Sequence, residues 1–183
     1  MIIGDIILVV KFWVVMTKKG GTNMKVKYHD PDMPKLEYVG GADKSNWMDL
    51  RAVKVTVIKP SGEVKTYVGF DEVTYKRDDL LKVSFGISAE LPDGTEAYII
   101  PRSSLFQNYG LFLTNHFGLI DRSYCGDNDV WMGQFLAMRD GKLSKYDRLA
   151  QFRIQQRMDD FTIEEVETLG NADRGSYGST GVK

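Results

Sequence analysis

Punctuation constrains this chain more than any other feature. Apolar and polar residues alternate in short bursts, and Gly, Pro, Asp or Asn closes almost every one. Val53-Lys54-Val55-Thr56-Val57-Ile58-Lys59 alternates, Pro60-Ser61-Gly62-Glu63 turns the chain, and Val64-Lys65-Thr66-Tyr67-Val68 alternates back. The same grammar recurs at Val83 to Leu91, the turn Pro92-Asp93-Gly94 and Glu96 to Ile100, which predicts a second hairpin. A period of two leaves little room for helices.

Further strands are predicted at Val26 to Tyr28, Trp47 to Ala52, Gly110 to Leu113, Val130 to Met138 and Leu149 to Ile154, with a tight turn at Asp140-Gly141. Only Arg102 to Tyr109 and Ile163 to Leu169 could support short helices. Many short strands with almost no helix predict an all-β sandwich or barrel of jelly-roll type. The chain has 183 residues, of which 43% are apolar, enough for one domain with a proper core.

The two ends read differently. Residues 1 to 23 form an apolar extension, Met1 to Met16, broken by Asp5 and Lys11, and then a linker. About 20 apolar residues are needed to cross a bilayer, and a signal peptide carries its positive charge ahead of the apolar run rather than after it. The expectation is a dispensable extension before a domain of residues 24 to 170, with a short membrane-associating anchor as the alternative. Residues 59 to 82 read as an insertion, and the charged part, 69 to 82, as an exposed excursion. Residues 171 to 183 form a glycine-rich tail with no core-forming period. This tail is either frayed or a phosphate cradle, since glycines let backbone N–H groups approach oxygens beside Arg and hydroxyl donors.

Composition narrows the partners. A net charge of −1, with both signs interleaved, argues against a nucleic-acid polymer as ligand. The single cysteine, Cys125, excludes an internal disulfide and fits a reducing, cytoplasmic compartment. The two histidines, His29 and His116, lie too far apart in sequence to suggest a zinc cluster.

Three segments carry candidate chemistry. Gly118-Leu119-Ile120-Asp121 delivers a carboxylate to a strand end, and Tyr124 follows three residues later. This is either a site that holds a water beside a bound ring or a plain β-turn capped by Asp121. Pro101-Arg102-Ser103-Ser104-Leu105 puts a guanidinium and two hydroxyls at a strand-to-helix junction, either an anion site or an ordinary N-cap. Asp147-Arg148-Leu149-Ala150-Gln151 opens a strand with polar residues, either functional or surface polarity.

In order and spacing, these segments resemble the trimeric, all-β dUTP pyrophosphatase (dUTPase) family. Pro101 to Leu105 is similar to that family's second motif, Asn115 to Gly126 to its third, Asp147 to Gln151 to its fourth and Arg174 to Gly181 to its fifth. The first motif is matched only by Asn46-Trp47-Met48-Asp49-Leu50, and Tyr177 stands where the family usually has Phe.

The resemblance implies hydrolysis of dUTP to dUMP and pyrophosphate by water attack on the α-phosphorus, in a homotrimer with shared sites. It implies Asp121 as general base, and Arg102, Ser103, Ser104 and Gln151 as phosphate contacts. Arg174, Ser179 and Thr180 would reach over from the tail. Asn115 would read the uracil edge, Tyr124 would pack under the sugar and Tyr177 would stack on the base. Mg²⁺ is the implied cofactor, with Asp49 holding it through a water. The rival of the same fold, dCTP deaminase, shares Arg102-Ser103-Ser104 but uses a glutamate in the strand after the third motif, where this chain has none between Val130 and Phe135. A non-catalytic nucleotide-binding regulator is the other alternative, and residues 59 to 82 are the first place to look for a regulatory protein partner in addition to catalysis.

Overall fold

The computed structural model describes residues 23–173 and 175. Thirteen strands and one short helix follow in order: β1 (Lys25–Tyr28), β2 (Met48–Arg51), β3 (Lys54–Ile58), β4 (Val64–Val68), β5 (Glu72–Tyr75), β6 (Leu80–Ser84), β7 (Ile87–Glu90), β8 (Thr95–Pro101), α1 (Leu105–Tyr109), β9 (Leu111–Leu113), β10 (Gly118–Ile120), β11 (Met132–Ala137), β12 (Gly141–Ser144) and β13 (Arg148–Gln156). The all-β class expected from the alternation is the one observed.

A four-stranded sheet, β10-β8-β13-β2, and a five-stranded sheet, β4-β3-β6-β11-β9, make up the body, and the ribbons β1-β7 and β12-β5 complete it. All pairings are antiparallel. The alternation in β3, β6 and β11 points Val55, Val57, Leu81, Val83 and Phe135 inward. Trp131, just before β11, meets Phe152 of β13 edge to face with centroids 5.0 Å apart, and both are fully buried. Such a pair adds about 0.5–1.5 kcal/mol beyond its buried area.

The hairpin predicted around Pro60 to Glu63 forms, with Val55 opposite Tyr67 and Val57 opposite Lys65. Its predicted counterpart does not. The run from Val83 to Leu91 breaks at Gly86, whose φ of 66° is left-handed, into β6 and β7. β7 then pairs with β1, while β8 pairs with β10 and β13. Residues 69 to 82 are likewise not an exposed excursion. Phe70, Val73, Tyr75 and Leu81 enter the core, and their charged neighbours face outward except Asp79, which is buried and accepts from Lys76 N–H at 2.8 Å. The count of charges concealed a period of two.

Of the two predicted helices only α1 exists, shorter than expected. Gly110 closes it in a left-handed conformation, with its N–H donating to Phe106 O at 2.8 Å. Ile163 to Leu169 has no regular structure, and Ile163 and Leu169 are exposed. An isolated turn of helix with nothing to pack against is not stable. Among the described residues, no helix is long and apolar enough to cross a membrane.

Candidate active site

β8 is the ruler along which the predicted site residues are laid out. β10 pairs with one side of it, Ile120 facing Ala97, and delivers Asp121 to the strand end as expected. The Asp121 carboxylate is exposed, and Ser123 grips one of its oxygens twice. The Ser123 backbone N–H donates to Asp121 Oδ1 at 2.8 Å and the Ser123 hydroxyl donates to it at 2.6 Å. The hydroxyl first, and then the amide, hold the Asp121 carboxyl below its ordinary value, so the group stays ionised. Tyr124 N–H donates to Asp121 O at 3.2 Å, and Tyr124 OH to Val130 O at 3.2 Å, which pins the ring beside the turn.

The rest of this loop is tied down from below. Asp129 Oδ2 accepts from Gly126 N–H at 2.7 Å, Ser88 Oγ donates to Asp127 O at 3.2 Å, and His29 Nε2 lies 2.8 Å from Ser88 Oγ. Cys125 is a free, exposed thiol. Asn115 sits in the turn between β9 and β10 with its side chain exposed.

The second cluster lies at the other end of β8. Gln151 on β13 faces Ile100 on one side and Asp49 of β2 on the other. Asp49, only 8% exposed, lies between two guanidinium groups, with Arg102 Nε 2.8 Å from its Oδ1 and Arg148 Nη1 3.1 Å from its Oδ2. The Arg148 contact is an aligned hydrogen bond. The Arg102 contact has ion-pair distance without an aligned N–H, so Asp49 Oδ1 remains a buried acceptor lacking a hydrogen-bond donor. Arg102 is itself anchored by its N–H donating to Leu149 O at 3.1 Å. Ser104 holds the N-cap position of α1 but makes no side-chain capping bond, which leaves its hydroxyl uncommitted, and Ser103 is exposed.

The structure therefore brings Asp49, Arg102 and Gln151 together, and Asp121 with Tyr124, but keeps the two groups apart. Asp121 and Gln151 are offset by about four residues along β8 and two strands across it, roughly 15–20 Å. Arg174, Tyr177, Ser179 and Thr180 lie outside the described residues. Ser123 and Arg148 are the partners that residue-by-residue reading passed over. The Asp-x-Ser spacing of a side-chain-capped turn would have flagged Ser123, whereas nothing in the sequence links Arg148 to Asp49, 99 positions away.

Metal binding can be tested against this donor set. Among the described residues, no three His, Cys, Asp or Glu side chains converge. Mg²⁺, which uses few protein carboxylates and keeps its waters, needs no such cluster. Asp49 Oδ1 is closed off from solvent with Arg102 Nε 2.8 Å away, so its surroundings here are the two guanidinium groups.

The model of the dUTPase family matches residues 63–181. The SPbeta prophage-derived deoxyuridine 5'-triphosphate nucleotidohydrolase of Bacillus subtilis (strain 168) is 39% identical over 160 residues, 87% of this chain and 99% of that protein. Among solved structures, a mutant dUTPase of Staphylococcus bacteriophage 80alpha, determined with dUpNHpp, has a TM-score of 0.64 at 14% identity, covering 88% of this chain and 100% of that one. A mutant dUTPase of phage phi11 of S. aureus, whose structure shows the coordination of a structural Mg(II) ion, has a TM-score of 0.61 at 12% identity, covering 80% of this chain and 98% of that one. These two likenesses concern the fold. With its sequence matched over well more than half its length and a relative covered almost end to end, the chain belongs to the dUTPase family.

Proposed function

We propose that this chain hydrolyses dUTP to dUMP and pyrophosphate, with Asp121 as the general base that activates the attacking water. The observation that carries the assignment is the Asp121 carboxylate itself. It is exposed at a strand end, kept ionised by Ser123 and flanked by the ring of Tyr124. A positioned base of this kind is worth ~10²–10⁴ in rate.

The remaining roles are those the family resemblance implies, and the positions of the described side chains support part of them. Arg102 and Gln151, with the free hydroxyls of Ser103 and Ser104, offer cationic and polar donors to phosphate oxygens. Asp49 holds the Arg102 and Arg148 guanidinium groups in place, and a water of the metal would reach its buried carboxylate only once one of those side chains moved aside. Bound Mg²⁺ would supply charge neutralisation along the triphosphate. Asn115 reads the base edge and Tyr124 packs under the sugar. Arg174, Tyr177, Ser179 and Thr180, which lie outside the described residues, take the tail roles that the family resemblance implies.

Assembly is part of this reading. A triphosphate is too short to bridge Asp121 and the Arg102–Gln151 cluster of one chain, so a complete site takes Asp121 from one copy and the phosphate contacts from another. A homotrimer with shared sites satisfies that requirement and closes symmetrically. The exposed free thiol of Cys125 supports a reducing compartment, and we infer the cytoplasm.

Incubation of the purified chain with Mg²⁺ and dUTP, dCTP or dTTP tests the proposal. The expected result is pyrophosphate released from dUTP in preference to the other two. Ammonia from dCTP would transfer the assignment to the deaminase, and binding of dUTP without turnover would transfer it to a regulator.

A further inference from the structure

β9 belongs to the five-stranded sheet and β10 to the four-stranded one, so residues 114 to 117 carry the chain from one sheet to the other. The crossing is tight. Thr114 N–H donates to Gln134 O at 3.0 Å, His116 N–H to Leu113 O at 3.2 Å and Phe117 N–H back to Asn115 O at 2.6 Å. Aromatic contacts brace it from both sides. His116 stands edge-on to Phe112 with centroids 5.7 Å apart, and Phe117 edge-on to Tyr98 at 5.8 Å.

Two residues within this brace stand out. Asn115 is exposed, and its side chain makes no hydrogen bond to any other described residue. His116 has a φ of 59°, the left-handed region that few non-glycine residues occupy. His and Asn enter it at modest cost, whereas a β-branched side chain is a true outlier there.

We propose that His116 is a positioning residue for base recognition, whose left-handed backbone aims the Asn115 amide at the base. The inference rests on the dUTP reading given above. A left-handed residue immediately after Asn115 folds the chain sharply enough for Phe117 N–H to return to Asn115 O. An extended residue there opens that turn and swings Asn115 away. Direction matters because the amide has a donor end and an acceptor end. A uracil edge presents a carbonyl where cytosine presents an amino group, so the end that points inward decides which base fits. Left-handed strain beside a recognition side chain is also where structures concentrate functional constraint.

The test is steady-state kinetics on the full-length chain with His116→Val, His116→Ala, His116→Asn and His116→Gly, using dUTP and dCTP as substrates. His116→Asn and His116→Gly, which tolerate the backbone, should keep the dUTP KM within about twofold of the parent. His116→Val should raise KM roughly tenfold, with kcat within about twofold, and narrow the preference for dUTP over dCTP. His116→Ala should fall between them, and it carries the test if His116→Val does not fold. A merely structural role would lower melting temperature and leave this KM-against-kcat split and the rescue by Asn unseen. Unchanged KM and selectivity in both His116→Val and His116→Ala would overturn the proposal, as would a His116→Asn variant as impaired as His116→Val. Calorimetric dUMP binding by the same variants separates this inference from the catalytic one. Without turnover in the parent chain, the hydrolase reading fails while the ranking of dUMP affinities still decides the role of His116.

Discussion

Ser123 places both its backbone N–H and its hydroxyl on a single oxygen of Asp121, at 2.8 and 2.6 Å. Both bonds favour the charged carboxylate, so the sign of their effect on a base is fixed. Asp121 keeps its charge to lower pH than an unassisted aspartate, and the activity that depends on it is present above that depressed pKa and lost as pH falls through it. Ser123→Ala removes the larger of the two contributions. The acid limb of kcat/KM against pH should then move upward, toward the ordinary aspartate range, with the plateau little changed. An acid limb that stays in place would detach the pH dependence from Asp121.

Asp49 is the hinge of the other half-site. It is 8% exposed and carries two guanidinium partners. Replacing it with Ala strands both charges, although Arg148 is 47% exposed and recovers much of its solvation. A loss of about 1–3 kcal/mol in unfolding free energy is expected. The dUTP KM should rise as well, because Arg102 loses the group that orients it. Denaturant unfolding and steady-state kinetics on the same preparation check both effects.

A purely structural prediction concerns Gly133 in β11. A methyl group there would lie 2.8 Å from the Phe135 ring and 2.9 Å from Phe85, both rings fully buried. Neither ring has space to retreat, so Gly133→Ala should cost about 1–3 kcal/mol by overpacking. A shift in the unfolding midpoint, with kcat unchanged in the folded fraction, is the expected outcome.

How much of this was legible beforehand depended on the range of each interaction. Alternation is local, so β3, β4, β8 and β13 could be placed from residue types alone, and the apolar run ending at Ile120 correctly put Asp121 at a strand end. Charge density misled at residues 69 to 82, where the buried positions Val73 and Tyr75 alternate with exposed Glu72 and Thr74. Pairing was harder still. Nothing near Gly86 announces that β7 will leave its neighbour in sequence for β1, because that choice is made by the packing of two sheets. The site divided in the same way. Each motif could be named in isolation, but the offset between Asp121 and Gln151 exists only once β8 lies between β10 and β13.

That offset supplies the most direct test of the account, which requires Asp121 and Arg102 of one active site to come from different copies of the chain. Asp121→Asn and Arg102→Ala should each lower dUTP turnover at least ~100-fold when assayed alone. Unfolded together at equal concentration and refolded, the two inactive variants should regain about a quarter of parental turnover, because random assembly of a symmetric ring pairs an intact Asp121 with an intact Arg102 at that frequency. A mixture no more active than its components would contradict the account.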